Sequence, residues 1–353
     1  MNSIITDPAS QVTEASCENH DFSPRVAVVI PYYQREPGIL SRTVDSVFAQ
    51  EGFDSYIVLV VDDDSPVPAR EELASRLVAE PVRLRLLEQP NAGPGAARNC
   101  GLDNVPDSCE YVAFLDSDDQ WFPSHLQNAC NALDLGYDFY FSDHYFSDYK
   151  EKSAFVRAGK IPLEKHHQLD PTRCLYEYIG DMLDQILIYG NVIGTSTVTY
   201  RFRKFCNLRF REAYFNGQDY LFWLDISKLT RQIVFSSKVE CDYGIGINIY
   251  VGSGWSTDKS IRRLRNEILL WTDVGKEFCT TSYRKTANAK RLQRLRESVV
   301  RDIFHRISHH QNINGKVLWE ICQINPTFSF HAIPIGLRIV FEKLLSSKFM
   351  ASH

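Results

Sequence analysis

The chain lacks the paired cysteine spacings that a disulfide framework or a zinc site requires. Its nine cysteines are scattered and odd in number, with no Cys-x-x-Cys. That usage fits free thiols in a reducing compartment. No run of about eighteen apolar residues occurs, so no transmembrane helix is expected. Met1 to Pro24 has neither a basic n-region nor an apolar h-region, and reads as a loosely ordered leader rather than a secretory signal. A cytoplasmic protein is expected, resting at most on the inner face of the cytoplasmic membrane. A basic excess is also missing. The net charge of -5 gives no nucleic-acid signature. There is no Gly-x-Gly-x-x-Gly turn after the first apolar run; Pro31-Tyr32-Tyr33 stands in its place, which argues against a nicotinamide dehydrogenase.

What is present is an ordinary globular composition, 44% hydrophobic and 24% charged, over 353 residues. That suits two domains, or one large domain with an appendage. Strand-like and helix-like segments alternate through the first half. Strands are expected at 26–30, 56–61, 82–87, 111–115 and 139–141, and helices at 38–50, 70–78, 95–102 and 123–133. Continuous apolar strands alternating with helices predict an α/β fold with a mostly parallel sheet between helices. Residues 150–167 are charged and poorly periodic, and read as a surface excursion. Residues 192–200 and 233–249 regain β composition, and 219–229 reads as an apolar helix.

Beyond Thr257 the pattern is helical. Thirteen Lys/Arg face five Asp/Glu between Lys259 and Arg306. This basic helical appendage suits an anionic partner, a membrane surface among them. The final candidate helix, 333–345, reads either as an interfacial membrane helix or as a helix docked on its own domain.

Ligands of parallel sheets bind beyond the carboxyl ends of the strands. Polar clusters follow three of the strands directly: Pro31-Tyr32-Tyr33-Gln34-Arg35, Asp62-Asp63-Asp64-Ser65 and Asp116-Ser117-Asp118-Asp119. The last places three carboxylates within four residues. Such a cluster weakens the fold unless a cation sits among it, and hard oxygen ligands suit Mg²⁺ or Mn²⁺, which normally arrive with a phosphate. Two further elements join them. The Gly- and Pro-shaped loop Gln89 to Gly101 carries Arg98 at a helix entry, where phosphate can be received. Asp219 opens an apolar helix, where it either caps the helix or does chemistry.

In order and spacing these motifs resemble the family 2 glycosyltransferases, which have the nucleotide-sugar-binding GT-A fold. The resemblance runs through Val29-Ile30-Pro31-Tyr32-Tyr33-Gln34, Val61 to Ser65, Asn91 to Gly101, Leu115 to Asp119 and Gln218-Asp219, covering about Val26 to Trp223. Gln218 departs from the usual acid pair. Residues 30–40 and Ser253-Gly254-Trp255-Ser256 are similar to bacterial exopolysaccharide glucosyltransferases of the succinoglycan type.

The resemblance implies a flexible leader (1–24), a GT-A domain (25–255, with a nucleotide-binding half 25–120 and an acceptor half 121–255) and a basic helical region (256–353). It implies that Pro31, Tyr33 and Asp63 hold uracil, and that Arg35 and Arg98 lie near the diphosphate. Tyr32, Asn91, Gly93, Asp116 and Ser117 complete the nucleotide-sugar site. Asp118 would ligate the Mn²⁺ or Mg²⁺, with Asp116 and Asp119 beside it. No histidine lies between His167 and His305 to serve as the metal ligand that some relatives have in the second half. Asp219 would be the base, with Thr195, Ser196 and Trp255 toward the acceptor. The implied reaction is inverting transfer of a hexose, glucose in the narrower group, from a UDP-sugar to a hydroxyl of a lipid-linked oligosaccharide. A nucleotidyltransferase would show a Gly-rich, lysine-containing turn that is absent here. A catalytically silent nucleotide- or glycan-binding subunit stays open because of Gln218.

Overall fold

β1 (Val26–Tyr32), α1 (Ile39–Phe48) and β2 (Tyr56–Asp62) open the fold, and both strands are buried along their whole length. A computed structural model describes residues 22–214, 216–244 and 257–350, with backbone alone at 258 and 340–350. The helix expected over 70–78 is two short ones, α2 (Ala69–Glu72) and α3 (Ala74–Ala79). They meet at Leu73, where the chain bends to bury that side chain. β3 (Leu84–Glu88), α4 (Pro94–Asp103), β4 (Tyr111–Phe114), β5 (Gln120–Trp121), α5 (His125–Asp134) and β6 (Phe139–Phe146) follow.

The stretch 150–167 is more than a surface excursion. It contains α6 (Ala154–Ala158) and is pinned by Phe155, whose ring meets Phe141 and Phe235 at 6.0 and 6.1 Å. One aromatic anchor in a charged stretch leaves no periodic signal. Next come β7 (His167–Asp170), β8 (Leu175–Glu177), α7 (Met182–Asp184) and a π-helical turn, Gln185–Tyr189. Residues 192–200 are not extended throughout. A 3₁₀ turn at Thr195–Thr197 precedes β9 (Thr199–Arg201). α8 (Gln218–Leu229) and β10 (Ile233–Tyr243) complete the sheet region. The expected continuation of this strand to Ile249 lies outside the described residues, as do Trp255 and its neighbours. α9 (Asp258–Glu277), α10 (Ser282–Ser308), α11 (Gly315–Ile324) and α12 (Phe328–Met350) end the chain.

The sheet order is β3-β2-β1-β4-β9-β6-β10-β8-β7, with β5 paired to β10. β3, β2, β1 and β4 are mutually parallel, and β6 is parallel to β10. β9 runs antiparallel between β4 and β6, which returns β6 to the direction of β4. The result is a mixed α/β sheet whose central strands mostly share one direction, with their carboxyl ends on one rim. Side chains alternate along β1. Ala27 and Val29 enter the core that holds Trp223, while Val28 and Ile30 enter the one that holds Leu40 and Val44.

α4 lies directly on β1. A Cβ at Gly101 would fall 2.4 Å from Val29 Cγ1, which accounts for the glycine that closes the Asn91–Gly101 motif. The carboxyl-terminal helices join this scaffold. Leu270, Trp271 and Val274 of α9, with Phe278 just after it, belong to the core built around Trp223. Farther out, α9 to α12 form a cluster of their own around Ile268, Val299 and Ile321, which also takes Ile335 and Ile339. Gly101→Val should therefore push α4 off β1 and cost about 1–3 kcal/mol by overpacking. Urea denaturation with an unchanged midpoint would contradict that close approach.

Candidate active site at the carboxyl ends of the strands

The ends of β1 and β2 are tied together before any ligand is considered. The Asp63 amide donates to the Tyr32 carbonyl (2.9 Å), and Ser65 Oγ bridges to the Gln34 backbone in both directions (2.8 and 3.0 Å). Asp62 accepts the amides of Ser65 and Ala69, both at 2.8 Å, and so caps the entry to α2. Asp63 faces the next loop. Its carboxylate accepts from Gln89 Nε2 (2.7 Å) and from the amides of Ala92 and Gly93 (2.8 Å each), while Asn91 Nδ2 donates to its carbonyl (2.9 Å). Gly93 holds φ +89°, a backbone geometry that L side chains rarely adopt. Asp63, Asn91 and Gly93 thus form one rim unit, with acceptor capacity left on the carboxylate.

Two of the nearby residues point elsewhere. Tyr32 is buried in the core with Val28 and Ile30, because period-2 alternation turns it away from the rim. Tyr33 is half-buried and Arg35 exposed at that edge, while Pro31 is buried in β1. Ser117 is buried: its hydroxyl accepts from Gln34 Nε2 (3.2 Å), and its carbonyl accepts from Thr43 Oγ1 (2.8 Å).

The carboxylates after β4 divide by environment. Asp116 stays partly exposed, and its Oδ1 accepts from Arg98 at 2.5 Å. Arg98 is 4% exposed. Burial alone would favour its neutral form, but the carboxylates of Asp116 and Asp219 hold it charged. Its Nε and second terminal nitrogen are buried without an acceptor among the described residues. Asp119 is fully engaged: one oxygen accepts from the Ser196 hydroxyl and the other from the Gly244 amide (2.8 Å). Burial pushes its carboxyl well above the usual range, and the nearby Asp118 and Asp116 add to this. Asp119 is a structural anchor, in contrast to the metal-side placement expected from the sequence.

Ser196 is likewise removed from the acceptor side. It is wholly buried: its hydroxyl accepts the Asp116 amide (2.9 Å), its amide donates to the Tyr243 hydroxyl (3.2 Å), and its carbonyl accepts from Trp121 Nε1 (2.6 Å). No substrate atom can reach it without breaking that network.

Asp219 is set by backbone geometry. Gly217, at φ +82°, turns the chain into α8, and a Cβ there would meet Leu270 at 2.6 Å. Gln218, which replaces the expected acid, is buried with its Cβ and Cγ packed beside Gly95 of α4. Asp219 Oδ1 accepts the Tyr220 amide (2.7 Å), and Oδ2 accepts from Thr195 Oγ1 (3.3 Å).

Asp116, Asp219 and Thr195 line one cavity of about 510 Å³, together with His144, Arg157 and Asn191. His144 was not singled out from the sequence. A lone histidine within Phe139–Phe146 carries no motif; only the pairing of β6 with β10 brings it here. Its ring stacks on Tyr243 at 4.1 Å, it is 6% exposed, and Nδ1 has no partner among the described residues. Burial, with Arg157 adding to it, lowers its pKa to about 4, so the imidazole is neutral near pH 7.

No group of three or more His, Cys, Asp or Glu side chains able to hold a metal occurs among the described residues. What is present are two hard carboxylates, Asp116 and Asp118, beside a third, Asp119, whose carboxyl is pushed up first by burial and then by the charges of Asp118 and Asp116. That donor set fits a Mg²⁺-like ion completed by water and phosphate oxygens, and falls short of an all-protein cage.

A mixed α/β sheet that gathers carboxylates around one rim cavity defines a nucleotide-sugar-binding protein. The chain belongs to the family described as Glycosyl transferase family 2, which matches residues 27–200, and it is a sugar-transferring enzyme. It is similar to the succinoglycan biosynthesis protein ExoW of Rhizobium meliloti (strain 1021), 37% identical over 231 residues, or 64% of this chain and 70% of that protein. The amylovoran biosynthesis glycosyltransferase AmsB of Erwinia amylovora is 26% identical over 222 residues, 62% of this chain and 68% of the relative. Among solved structures, S. aureus TarS 1-349 in complex with UDP-GlcNAc superposes with TM-score 0.56 at 16% identity, covering 87% of this chain and 81% of that one. The mannosyltransferase PcManGT from Pyrobaculum calidifontis, in complex with GDP-Man and Mn²⁺, gives 0.53 at 15%, covering 91% and 88%. These two share the fold.

The depressed pKa of His144 has a stability consequence. Below its ordinary value of 6.5 the unfolded chain takes up a proton that the folded chain refuses. Its contribution is therefore complete above pH 6.5 and is lost as pH falls through about 4. His144→Phe keeps the stack on Tyr243 and should remove about 3 kcal/mol of that acid-side loss. Parallel stability–pH curves for the two proteins between pH 7 and 4 would refute the assignment.

Proposed function

We propose that this enzyme is an inverting glycosyltransferase of GT-A fold. It moves a hexose, glucose by the sequence resemblance, from a UDP-sugar to a hydroxyl of a growing lipid-linked oligosaccharide in bacterial exopolysaccharide synthesis. The likeness to ExoW and AmsB supports the exopolysaccharide setting, and the nucleotide-sugar complexes of TarS and PcManGT support the donor class. The observation that carries the reading is that Asp116 and Asp219 line the same cavity, with the buried Arg98 guanidinium under the influence of both. One carboxylate lies toward the leaving diphosphate and the other toward the attacking hydroxyl.

Residues 25–120 would hold the nucleotide, with Asp63 and the loop 91–93 at the base, Pro31 and Tyr33 beside it, and Arg35 toward the phosphates. Residues 121–255 would hold the acceptor. Asp219 takes the proton from the acceptor hydroxyl as that oxygen bonds to the anomeric carbon. The bond from that carbon to the diphosphate oxygen breaks, and the configuration inverts. A positioned base of this kind contributes about 10²- to 10⁴-fold. When bound, a Mn²⁺ or Mg²⁺ at Asp116 and Asp118 supplies positive charge for the leaving diphosphate. Arg98 keeps Asp116 in place, and its remaining N–H donors lie close by. The neutral His144 and Asn191 are suited to sugar hydroxyls rather than to charged groups.

Residues 256–353 would bring the enzyme to an anionic membrane surface. No helix among the described residues is long and apolar enough to cross a membrane. α12 buries Ile335 and Ile339 yet exposes Phe330, Ile333 and Leu337 along one stripe, and Trp319 of α11 is exposed as well. An apolar stripe on a basic helical unit suits interfacial binding.

Asp219→Asn should keep UDP binding and lose at least about 10²-fold in transfer from UDP-glucose; near-normal turnover would remove the base assignment. Asp118→Ala should abolish the extra thermal shift that Mn²⁺ gives with UDP. An identical Mn²⁺ response in the variant would count against a metal role for this carboxylate.

A further inference from the structure

A second cavity, of about 550 Å³, opens between the π-helical turn and the first half of α10. Leu187 and Ile188 form one wall. Tyr283, Lys290, Arg291 and Arg294 stand on the other. Nearby acids are already engaged. Asp184 pairs with Arg284 (2.6 Å) and accepts from the Tyr283 hydroxyl, and Asp181 also pairs with Arg284 (2.9 Å). Arg291 lies over the Trp271 ring at 3.8 Å, facing Glu267. Lys290 and Arg294, one helical turn apart, have no carboxylate partner among the described residues. Two cations converging on a concave surface without a counter-charge form an anion site.

This groove and the transfer cavity are lined by neighbouring stretches of the chain. The wall at Leu187–Ile188 continues within a few residues to Asn191–Thr195, which lines the cavity of Asp219. Lys160 reaches over Gly190 between the two, and Arg157 stands at the first cavity. Neither has a carboxylate partner among the described residues. Tyr220, the residue after the base, donates to the Ile186 carbonyl (2.8 Å) and packs edge-on against Trp271 at 5.1 Å. α8 thus carries Asp219 of the first cavity and meets the π-helical turn that walls the second.

We infer that the acceptor is anionic, and that the groove of Lys290 and Arg294 holds its phosphate or diphosphate while its reactive hydroxyl lies at Asp219. The inference rests on the transfer reading above and adds the acceptor's charge and the place where that charge docks. A phosphate suits the site better than a neutral glycan because guanidinium and ammonium groups bind it by charge-assisted hydrogen bonds. It also separates docking from membrane attachment, since the exposed apolar stripe of α12 lies on different residues.

The test uses the full chain and two ligands. UDP affinity is measured first by calorimetry. Inorganic pyrophosphate is then titrated into protein held in UDP excess, so that the donor site does not report. The combined Lys290→Gln, Arg294→Gln variant should lose about tenfold or more in pyrophosphate affinity. Its UDP affinity and its binding to phosphatidylglycerol vesicles should be unchanged. Lys285→Gln, an exposed lysine of the same helix outside the groove, should bind pyrophosphate as the unaltered protein does. Equal pyrophosphate binding by the double variant and the unaltered protein overturns the inference. So does a double variant that loses only vesicle binding, because the cations would then serve the membrane surface. Pyrophosphate binding that needs Lys290 and Arg294, in a protein that binds no UDP, would uphold the groove and strike the donor reading instead.

Discussion

The site depends on one buried carboxylate. Asp119 takes a hydroxyl from Ser196 and an amide from Gly244, and so binds the end of β4 to the 3₁₀ turn before β9 and to the end of β10. Such a group is costly to bury, and removing its partners would leave a strongly destabilising orphan. One of its two hydrogen bonds fixes Ser196, which in turn holds the Asp116 amide. Gly244 has no alternative, since a Cβ there would fall 1.8 Å from the Asp118 carbonyl oxygen. The position of Asp116 at the cavity therefore follows from buried contacts behind it.

A second constraint places Asp219. α8 begins where Gly217 turns against Leu270 of α9 and Gln218 packs on Gly95 of α4. The start of one helix is thus gripped by α4 and by α9. The loss of the expected acid at 218 does not open the site, because that side chain points into packing. Asp219 keeps its exposure to the cavity, and its carboxylate is oriented by Thr195 and by its own helix entry.

Charge then sorts the surface. Arg98 is buried against Asp116, where Asp116 and Asp219 together keep it ionised. His144 beside them is kept neutral by burial. Among the described residues, cations without a carboxylate partner begin with Arg157 at the cavity of Asp219 and continue through Lys160 to Lys290 and Arg294 in the second groove. Carboxylates are confined to the first cavity and the second groove is lined by cations, which is the order that an acceptor with an uncharged hydroxyl and an anionic tail would require.

Much of this was legible in the sequence. Unbroken β-branched runs specify buried parallel strands, and the polar clusters at their ends specify one rim, because both signals are local and repeat with a fixed period. The motif from Asn91 to Gly101 even carried the close contact of α4 on β1. The partition of roles within each cluster was not legible. Asp62 caps a helix while Asp63 shapes a loop; Asp116 faces the cavity while Asp119 is an anchor; Tyr32 enters the core while Tyr33 stays at the edge. His144, Arg157 and the groove of Lys290 and Arg294 carried no spacing that could mark them. The sequence by itself determined which residues stand at strand ends, since backbone periodicity depends on near neighbours. Tertiary structure alone decided which of them meet, because Asp119 and Gly244, Ser196 and Asp119, or Ile186 and Tyr220 are joined only when distant strands and helices close over the same rim.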